Sequence, residues 1–149
     1  MKKITLLLLA LILAACTAGG GTELSRNQSK WQDANIAHYR FELNVGCFCA
    51  FRSQMPVTVE VQNGKIDSIV TPDGNVMAPD DPNYEYIARY ATVDRLFSEL
   101  ESDPIRDAAE LTVTYDSSYG IPSEIFIDFI KDAVDDELYL SASALEPLP

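Results

Sequence analysis

Apolar and polar residues alternate in two stretches of the first half of the chain. Apolar side chains occupy every second position from residue 39 to residue 45, and again from residue 57 to residue 61. A period of two is typical of a strand with one buried face. The pattern therefore predicts one strand at residues 39–45 and another at residues 57–62.

The second of these strands leads into a turn sequence. The Asn-Gly pair at residues 63–64 suits the two positive-φ positions of a type I′ turn. The register that such a turn sets pairs Val61 with Ile66 and Val57 with Val70. The sequence therefore predicts a hairpin of residues 57–62 with residues 65–70.

Two further segments have the pattern of amphipathic helices. Residues 24–37 lack Gly and Pro and place Trp31 and Ala34 near Leu24 on one helical face. Thr92 is a suitable N-cap for a second helix, in which residues 93, 96, 97 and 100 have the spacing of a buried face.

Strand-like residues return at 111–115, 124–130 and 138–144. Each predicted helix has one apolar face and needs a sheet to cover. We therefore predict an α+β domain with an antiparallel meander sheet or sheets. The expected order is helix, three strands, helix, three strands, with the helices packed on one sheet face.

The first residues of the chain have a different character. Lys2 and Lys3 precede an apolar run at residues 4–13, which is shorter than the roughly 20 residues that span a bilayer. The small residues that follow complete a signal peptide pattern. The Leu-Ala-Ala-Cys sequence ending at Cys16 resembles the bacterial lipobox, whose cysteine receives a diacylglycerol before cleavage.

These features divide the chain into three predicted parts. Residues 1–15 are a lipoprotein signal peptide, residues 16–23 are the lipidated Cys16 with a glycine-rich flexible tether, and residues 24–149 are one globular domain. The predicted location is the cell envelope, on the extracytoplasmic side of a membrane to which the lipid attaches the domain.

The chain carries a net charge of -12, and removal of two lysines with the signal peptide makes it more acidic. Because Lys and Arg clusters drive binding to nucleic acids and to anionic headgroups, no nucleic-acid partner is expected. The membrane partner is reached through the lipid, and a further envelope protein is a candidate partner. The oligomeric state stays open.

The order of several motifs along residues 24–144 resembles the bacterial family catalogued as domain of unknown function 6174. The resemblance rests on Leu24, Trp31, Tyr39, Phe41, Cys47-Phe48-Cys49, the hairpin with Asn63-Gly64, residues 93–97, and Tyr119-Gly120-Ile121-Pro122 followed by Ile125 and Asp128. The resemblance implies a small exported protein, since many members of the family have a lipoprotein signal. It implies no particular activity.

Cys47 and Cys49 form the one motif with intrinsic chemistry. On a regular strand the Cα atoms of residues two apart are about 6.6 Å from each other, which is close to the upper limit for a disulfide. A bridge therefore needs local bending of the chain. Outside the cytoplasm the thiols meet an oxidising environment, and lipidation of Cys16 leaves these two as the remaining pair. We favour a structural disulfide, while a redox-active bridge, free thiols and a metal site stay open as alternatives.

No metal and no cofactor are predicted. His38 lies nine positions before Cys47, which is poor support for a four-ligand zinc site, and Met55 alone is thin support for copper(I). The acidic stretches at residues 73–81 and 132–137 lack the ligand spacing of a calcium loop and are interpreted as solvated turns. His38 is interpreted as a surface or capping side chain.

Tyr84, Tyr86 and Tyr90 cluster before the second predicted helix. If the three rings are exposed together they form a candidate partner-contact site, whereas the alternative is a loop packed over the sheet. No catalytic residue is assigned, because the chain has one histidine and no nucleophile-elbow or zinc-helix motif.

Three hypotheses for the function follow. We favour a non-enzymatic binding or structural module of the envelope that contacts its partner through the sheet face or the Tyr-rich loop. The second is a thiol-disulfide redox protein that uses Cys47 and Cys49. The third is an unrecognised enzyme, which requires a deep pocket with converging carboxylates.

Overall fold

A computed structural model describes residues 22–149, which form an α+β domain with one six-stranded antiparallel sheet and four short α-helices. The strands are β1 His38–Gly46, β2 Val57–Gln62, β3 Lys65–Val70, β4 Glu110–Tyr115, β5 Pro122–Asp128 and β6 Leu138–Pro147. The helices are α1 Glu23–Ala34, α2 Tyr84–Ala88, α3 Val93–Leu100 and α4 Asp103–Arg106. The predicted α+β class and the antiparallel sheet are confirmed.

The sheet consists of two three-stranded meanders that join edge to edge. Its strand order is β3-β2-β1-β6-β5-β4, so the first and the last strand of the described chain form the central pair. In that pair Leu43 lies opposite Ala142 and Val45 opposite Leu140, and all four side chains are buried. The apolar rows of the two meanders therefore meet in one continuous core.

The β2–β3 hairpin has its predicted strand bounds and turn, but only part of its predicted register. Val61 lies opposite Ile66 as expected. The expected pairing of Val57 with Val70 is wrong, because a bulge beyond Ile66 shifts the register and places Val70 opposite Thr58. The physical reason is burial: the shift turns Ile69 to the core side, where it is 1% exposed.

Helix α1 is shorter at its C-terminal end than the predicted segment 24–37. It begins at Glu23, where the Thr22 hydroxyl accepts a hydrogen bond from the Ser25 amide at 3.2 Å. It ends at Ala34 because Asn35 adopts a left-handed conformation with φ 49°, which terminates helices.

Helix α3 begins as predicted after Thr92, whose buried hydroxyl accepts a hydrogen bond from the Arg95 amide at 3.1 Å. Two neighbouring helices, α2 and α4, were not predicted. They have five and four residues, and such short elements show no helical periodicity that a sequence pattern could reveal.

Tyr39 on β1 contacts both longer helices. Its ring lies edge-on to that of Trp31 on α1, with centroids 5.2 Å apart. Its hydroxyl accepts a hydrogen bond from the Val93 amide of α3 at 3.1 Å. Trp31 Nε1 in turn donates to Asp94 Oδ1 at 3.1 Å. These contacts fix α1 and α3 against β1 and against each other.

Within the described part of the chain, no helix is both long and apolar enough to cross a bilayer. The predicted signal peptide and Cys16 lie outside the described residues.

Candidate functional site: the loops beyond β1 and β5

Cys47 and Cys49 lie directly after β1 and are joined by a disulfide, with their Cα atoms 5.1 Å apart. This separation is shorter than that of a regular strand, so the chain bends here as the sequence prediction requires. Both cysteines are partly buried and pack against the core. The predicted pairing agrees with the structure.

The disulfide loop turns one aromatic ring outward and the next one inward. Phe48, between the two cysteines, is 82% exposed. Phe51 is buried and packs against the ring of Tyr86, with centroids 5.4 Å apart. A single turn of 3-10 helix, Arg52–Gln54, then leads the chain towards β2. Phe51 therefore anchors the loop that presents Phe48 to solvent.

A second loop, residues 129–137, lies beside the first because Gly46 at the end of β1 is opposite Tyr139 at the start of β6. It is closed by its own hydrogen bonds: Asp136 Oδ2 accepts from the Ile130 amide at 2.7 Å, and the Ala133 amide donates to the Ile130 carbonyl at 2.9 Å. Ordered in this way, the loop exposes Ile130 and Val134.

We call the side chains of Phe48, Ile130 and Val134 the tip. Val134 is 83% exposed, and with Phe48 it is the most exposed large hydrophobic side chain among residues 22–149. Phe48 and Asp135 line a common open depression of about 290 Å³, which shows that the two loops adjoin. Isolated exposed apolar residues are ordinary on protein surfaces, whereas a group of them at one end of a sheet is a candidate contact surface.

The surroundings of the tip are mainly acidic. Loop 129–137 carries four acids and one lysine, with Asp132, Asp135 and Glu137 exposed. Arg52 and Glu137 line the same depression as Phe48. Exposed apolar side chains among carboxylates are suited to a partner that offers an apolar pocket with a basic rim.

Tyr84, Tyr86 and Tyr90, the candidate contact site from the sequence, are not exposed together. Tyr90 is 2% exposed, and burial raises its pKa well above the usual value. Tyr84 is half-buried against the core, and Tyr86 is 39% exposed. The rings of Tyr86 and Tyr90 stack edge-on at 5.9 Å. The alternative, packing of a loop over the core, describes this cluster better.

His38 has a structural position far from the cysteines. It is the first residue of β1 and Cys47 follows the last, so about 30 Å of strand separates them. Its Nδ1 faces the Pro149 carbonyl at 2.9 Å and its Nε2 the Glu60 carboxylate at 2.8 Å. The pKa of His38 is raised, first by the bond to Pro149 and then by that to Glu60. The imidazole thus links β1, β2 and the last described residues.

The candidate metal ligands form hydrogen bonds within the domain. Met55 Sδ accepts a hydrogen bond from the Val45 amide at 3.4 Å. In the acidic stretch 73–81, the Asp73 carboxylate accepts bonds from the Thr71 hydroxyl and from Asn75, which lower its pKa. Among residues 22–149 no group of three His, Cys, Asp or Glu side chains is placed to hold a metal ion.

The described residues form a small α+β domain with one six-stranded antiparallel sheet, four short helices and exposed loops at one end of the sheet. The chain belongs to the family of unknown function DUF6174, which matches residues 23–147. No curated protein and no solved structure matches the chain.

Proposed function

We propose that the chain is a lipid-anchored bacterial envelope protein whose domain is a non-enzymatic module that binds another envelope protein through the tip. Membrane attachment is supported by the lipobox sequence that ends at Cys16. The observation that carries the binding role is the exposure of Phe48 and Val134 on two adjoining loops, of which the one with Val134 is acidic. The partner that fits is a protein with an apolar pocket rimmed by Lys or Arg.

The remainder of the domain provides a rigid support for this surface. We infer that the helices pack on one face of the sheet in the predicted order, because α1 and α3 both contact Tyr39. The opposite face carries exposed polar side chains such as Arg40, which pairs with Glu146 at 2.6 Å. A paired and charged face of this kind is well solvated, which favours the tip over the sheet face as the contact surface.

Lipid attachment is tested by intact mass. The protein purified from membranes should have the mass of residues 16–149 with acyl groups added and two hydrogens removed for the disulfide. Cys16→Ser should lack the lipid and keep residues 1–15, because lipidation precedes cleavage, whereas the matched variant Cys49→Ser should be lipidated and cleaved like the wild-type protein. An unmodified Cys16 thiol in the wild-type protein would refute the anchor.

Binding through the tip is tested by site-specific photo-crosslinking in cells. A photoreactive phenylalanine at position 48 should give one discrete adduct, and the same residue at exposed Lys65, beside the turn at the opposite end of the sheet, should not give it. Asp135→Lys should weaken the adduct, because it removes attraction for a basic rim. Identical adducts from both positions, or no effect of the charge reversal, would count against the tip.

The contribution of Phe48 to binding affinity can be calculated from the apolar surface that its ring would bury. Complete burial of a phenylalanine contributes about 2 kcal/mol, so Phe48→Ser should weaken binding by roughly 30-fold. The same change should leave the free energy of unfolding almost unaltered, because the ring is 82% exposed in the free protein. This separation of binding from stability distinguishes a contact residue from a structural one.

A thiol-disulfide redox protein is the second candidate function. It is favoured by the position of the disulfide on an exposed loop, where Cys47 and Arg52 line one depression. Equilibration with glutathione buffers, read by thiol labelling and mass spectrometry, gives the reduction potential of the pair. A potential below about -300 mV, typical of structural disulfides, would exclude this function.

A further inference from the structure

The two edges of the sheet differ in how they are protected. The free edge of β3 is covered by the chain that follows it: the Met77 amide donates to the Ile69 carbonyl at 2.8 Å, and Val76 forms a bridge with Val70. In the described part of the chain, the ladder partners of β4 lie on β5 alone. Alternate N–H and C=O groups of an edge strand point away from its one neighbour and are available to another strand.

Strand β4 also lacks the usual devices that block such an edge. Its sequence, Glu-Leu-Thr-Val-Thr-Tyr, contains neither Pro nor Lys, and its single irregularity lies at the end, between Thr114 and Tyr115. Lysine, proline and central bulges are the features by which edge strands discourage pairing. Five residues of β4 thus present a regular edge.

On the helix side of the sheet, the apolar rows of the core are left incomplete at this edge. Leu111 lies opposite Ile127 and Val113 opposite Ile125, and both isoleucines are buried. Leu111 is 39% exposed and Val113 half-buried. A further strand would extend both rows by one apolar side chain and cover Leu111.

On the other side of the sheet, carboxylates lie next to the same edge. Glu110 is opposite Asp128, and Thr114 is opposite Glu124. Glu110 and Glu124 are exposed. Like charges opposite each other are unfavourable, and basic side chains on an added strand would relieve this repulsion.

We propose that the free edge of β4 binds an extended segment of a partner protein, which becomes the seventh strand of the antiparallel sheet. The segment alternates apolar residues, which pack beside Leu111 and Val113, with Lys or Arg residues, which face Glu110 and Asp128. Backbone hydrogen bonds select an extended chain, and the two different faces select its side-chain pattern. A second copy of this chain fits poorly, because its own acids would meet the same carboxylates and both copies carry a net charge of -12.

β4 is the outermost strand, whereas Phe48 and Val134 of the tip lie on loops beyond the central pair; only the start of loop 129–137 adjoins β4, where the Ala109 amide donates to the Phe129 carbonyl at 3.4 Å. The test is therefore read at β4 itself and does not depend on the tip. Its probe is an acetylated and amidated eight-residue peptide that alternates lysine and valine. The control probe has the same sequence with all interior backbone nitrogens methylated, which keeps charge and side chains but removes the hydrogen-bond donors.

The experiment measures binding of both peptides to the full mature chain in non-ionic detergent by isothermal titration calorimetry. The unmethylated peptide should bind at least about ten-fold more tightly than the methylated one. Hydrogen exchange read by mass spectrometry should show that it protects β4 and leaves β3 unchanged.

Variants locate the site on the chain. Leu111→Lys and Glu110→Lys should each weaken binding by about ten-fold or more. Asp67→Lys places the charge change of Glu110→Lys on the opposite edge strand and should have at most a small effect. Trp31 fluorescence of each variant reports whether the core is intact, and the comparison of the two peptides on the wild-type chain needs no variant.

Three results would overturn the proposal. Equal affinity for the methylated peptide would show attraction between charges alone. Absence of binding at about 1 mM peptide would show that the edge is closed. Sedimentation of the wild-type chain as a dimer that Leu111→Lys dissociates would assign the edge to a second copy.

Discussion

The hydrogen bond between the Tyr39 hydroxyl and the Val93 amide should contribute measurably to stability. Val93 is the first residue of α3, and amides in the first turn of a helix have no partner within the helix. Tyr39 supplies that partner from the sheet, at 3.1 Å and with a side chain that is 2% exposed. Burial raises the pKa of Tyr39 to about 12, so the hydroxyl is neutral at ordinary pH.

Tyr39→Phe removes the acceptor and leaves a buried N–H without a partner. Such a loss costs about 1–3 kcal/mol, which lowers the folding equilibrium constant by roughly 5- to 150-fold. The change keeps the ring, so the edge-on contact with Trp31 is retained. Urea denaturation followed by the fluorescence of Trp31, the single tryptophan of the chain, gives the free energy of unfolding.

Tyr139→Phe is the matched control. Tyr139 is 37% exposed, and its hydroxyl donates to Glu124 Oε1 at 3.3 Å on the surface. We expect it to change the free energy of unfolding by less than about 0.5 kcal/mol. If both variants lose the same stability, the reasoning from burial and from the unpaired amide of α3 is refuted.

Two further predictions concern backbone strain and pH. Gly64→Ala should lower the free energy of unfolding by about 1 kcal/mol, because alanine is strained at a φ of +73°; its added Cβ meets no other atom. Gly120→Ala should lower it by at least about twice as much, because the added Cβ would also lie 2.8 Å from the Asn27 carbonyl oxygen. Thermal denaturation of the two variants compares them, and equal losses would refute the steric argument. The raised pKa of His38 means that protonation stabilises the folded state: this contribution is present below the unfolded pKa of about 6.5 and is lost as pH rises through the folded pKa. His38→Gln should therefore lower the free energy of unfolding more at pH 5 than at pH 8. Glu60→Gln, which removes one partner of the charged imidazole, should make this dependence on pH smaller. An effect of His38→Gln that is equal at both pH values would contradict the link between protonation of His38 and stability.

Local patterns predicted the elements whose structure is decided by neighbouring residues. The turn at residues 63–64 and the cap at Thr92 depend on a few adjacent side chains, and both occur as expected. The bulge in β3 was missed because a strict period of two was assumed. The three-residue spacing of Ile66 and Ile69, both on the core side, is the feature of the sequence that could have revealed it.

The candidate site was harder to predict because it depends on pairing across the whole chain. The Cys47-Phe48-Cys49 motif is visible in the sequence, but the loop that carries Val134 adjoins it only because β1 and β6 are neighbours. Which of the two interpretations of the tyrosine cluster applies could not be read from the sequence for a similar reason, because burial of Tyr90 is decided by packing in the core. Apolar residues within an acidic turn, such as Val134, were the available hint.

The central pairing of β1 with β6 also has a consequence for the time at which the fold can be completed. About 100 residues lie between the two partners, and contacts between such distant segments form slowly. During synthesis, the chain can close the first meander but must wait for β6 before the two halves join. Until then β1 has a long unpaired edge, the side on which an unfinished chain is most open to pairing with the wrong partner.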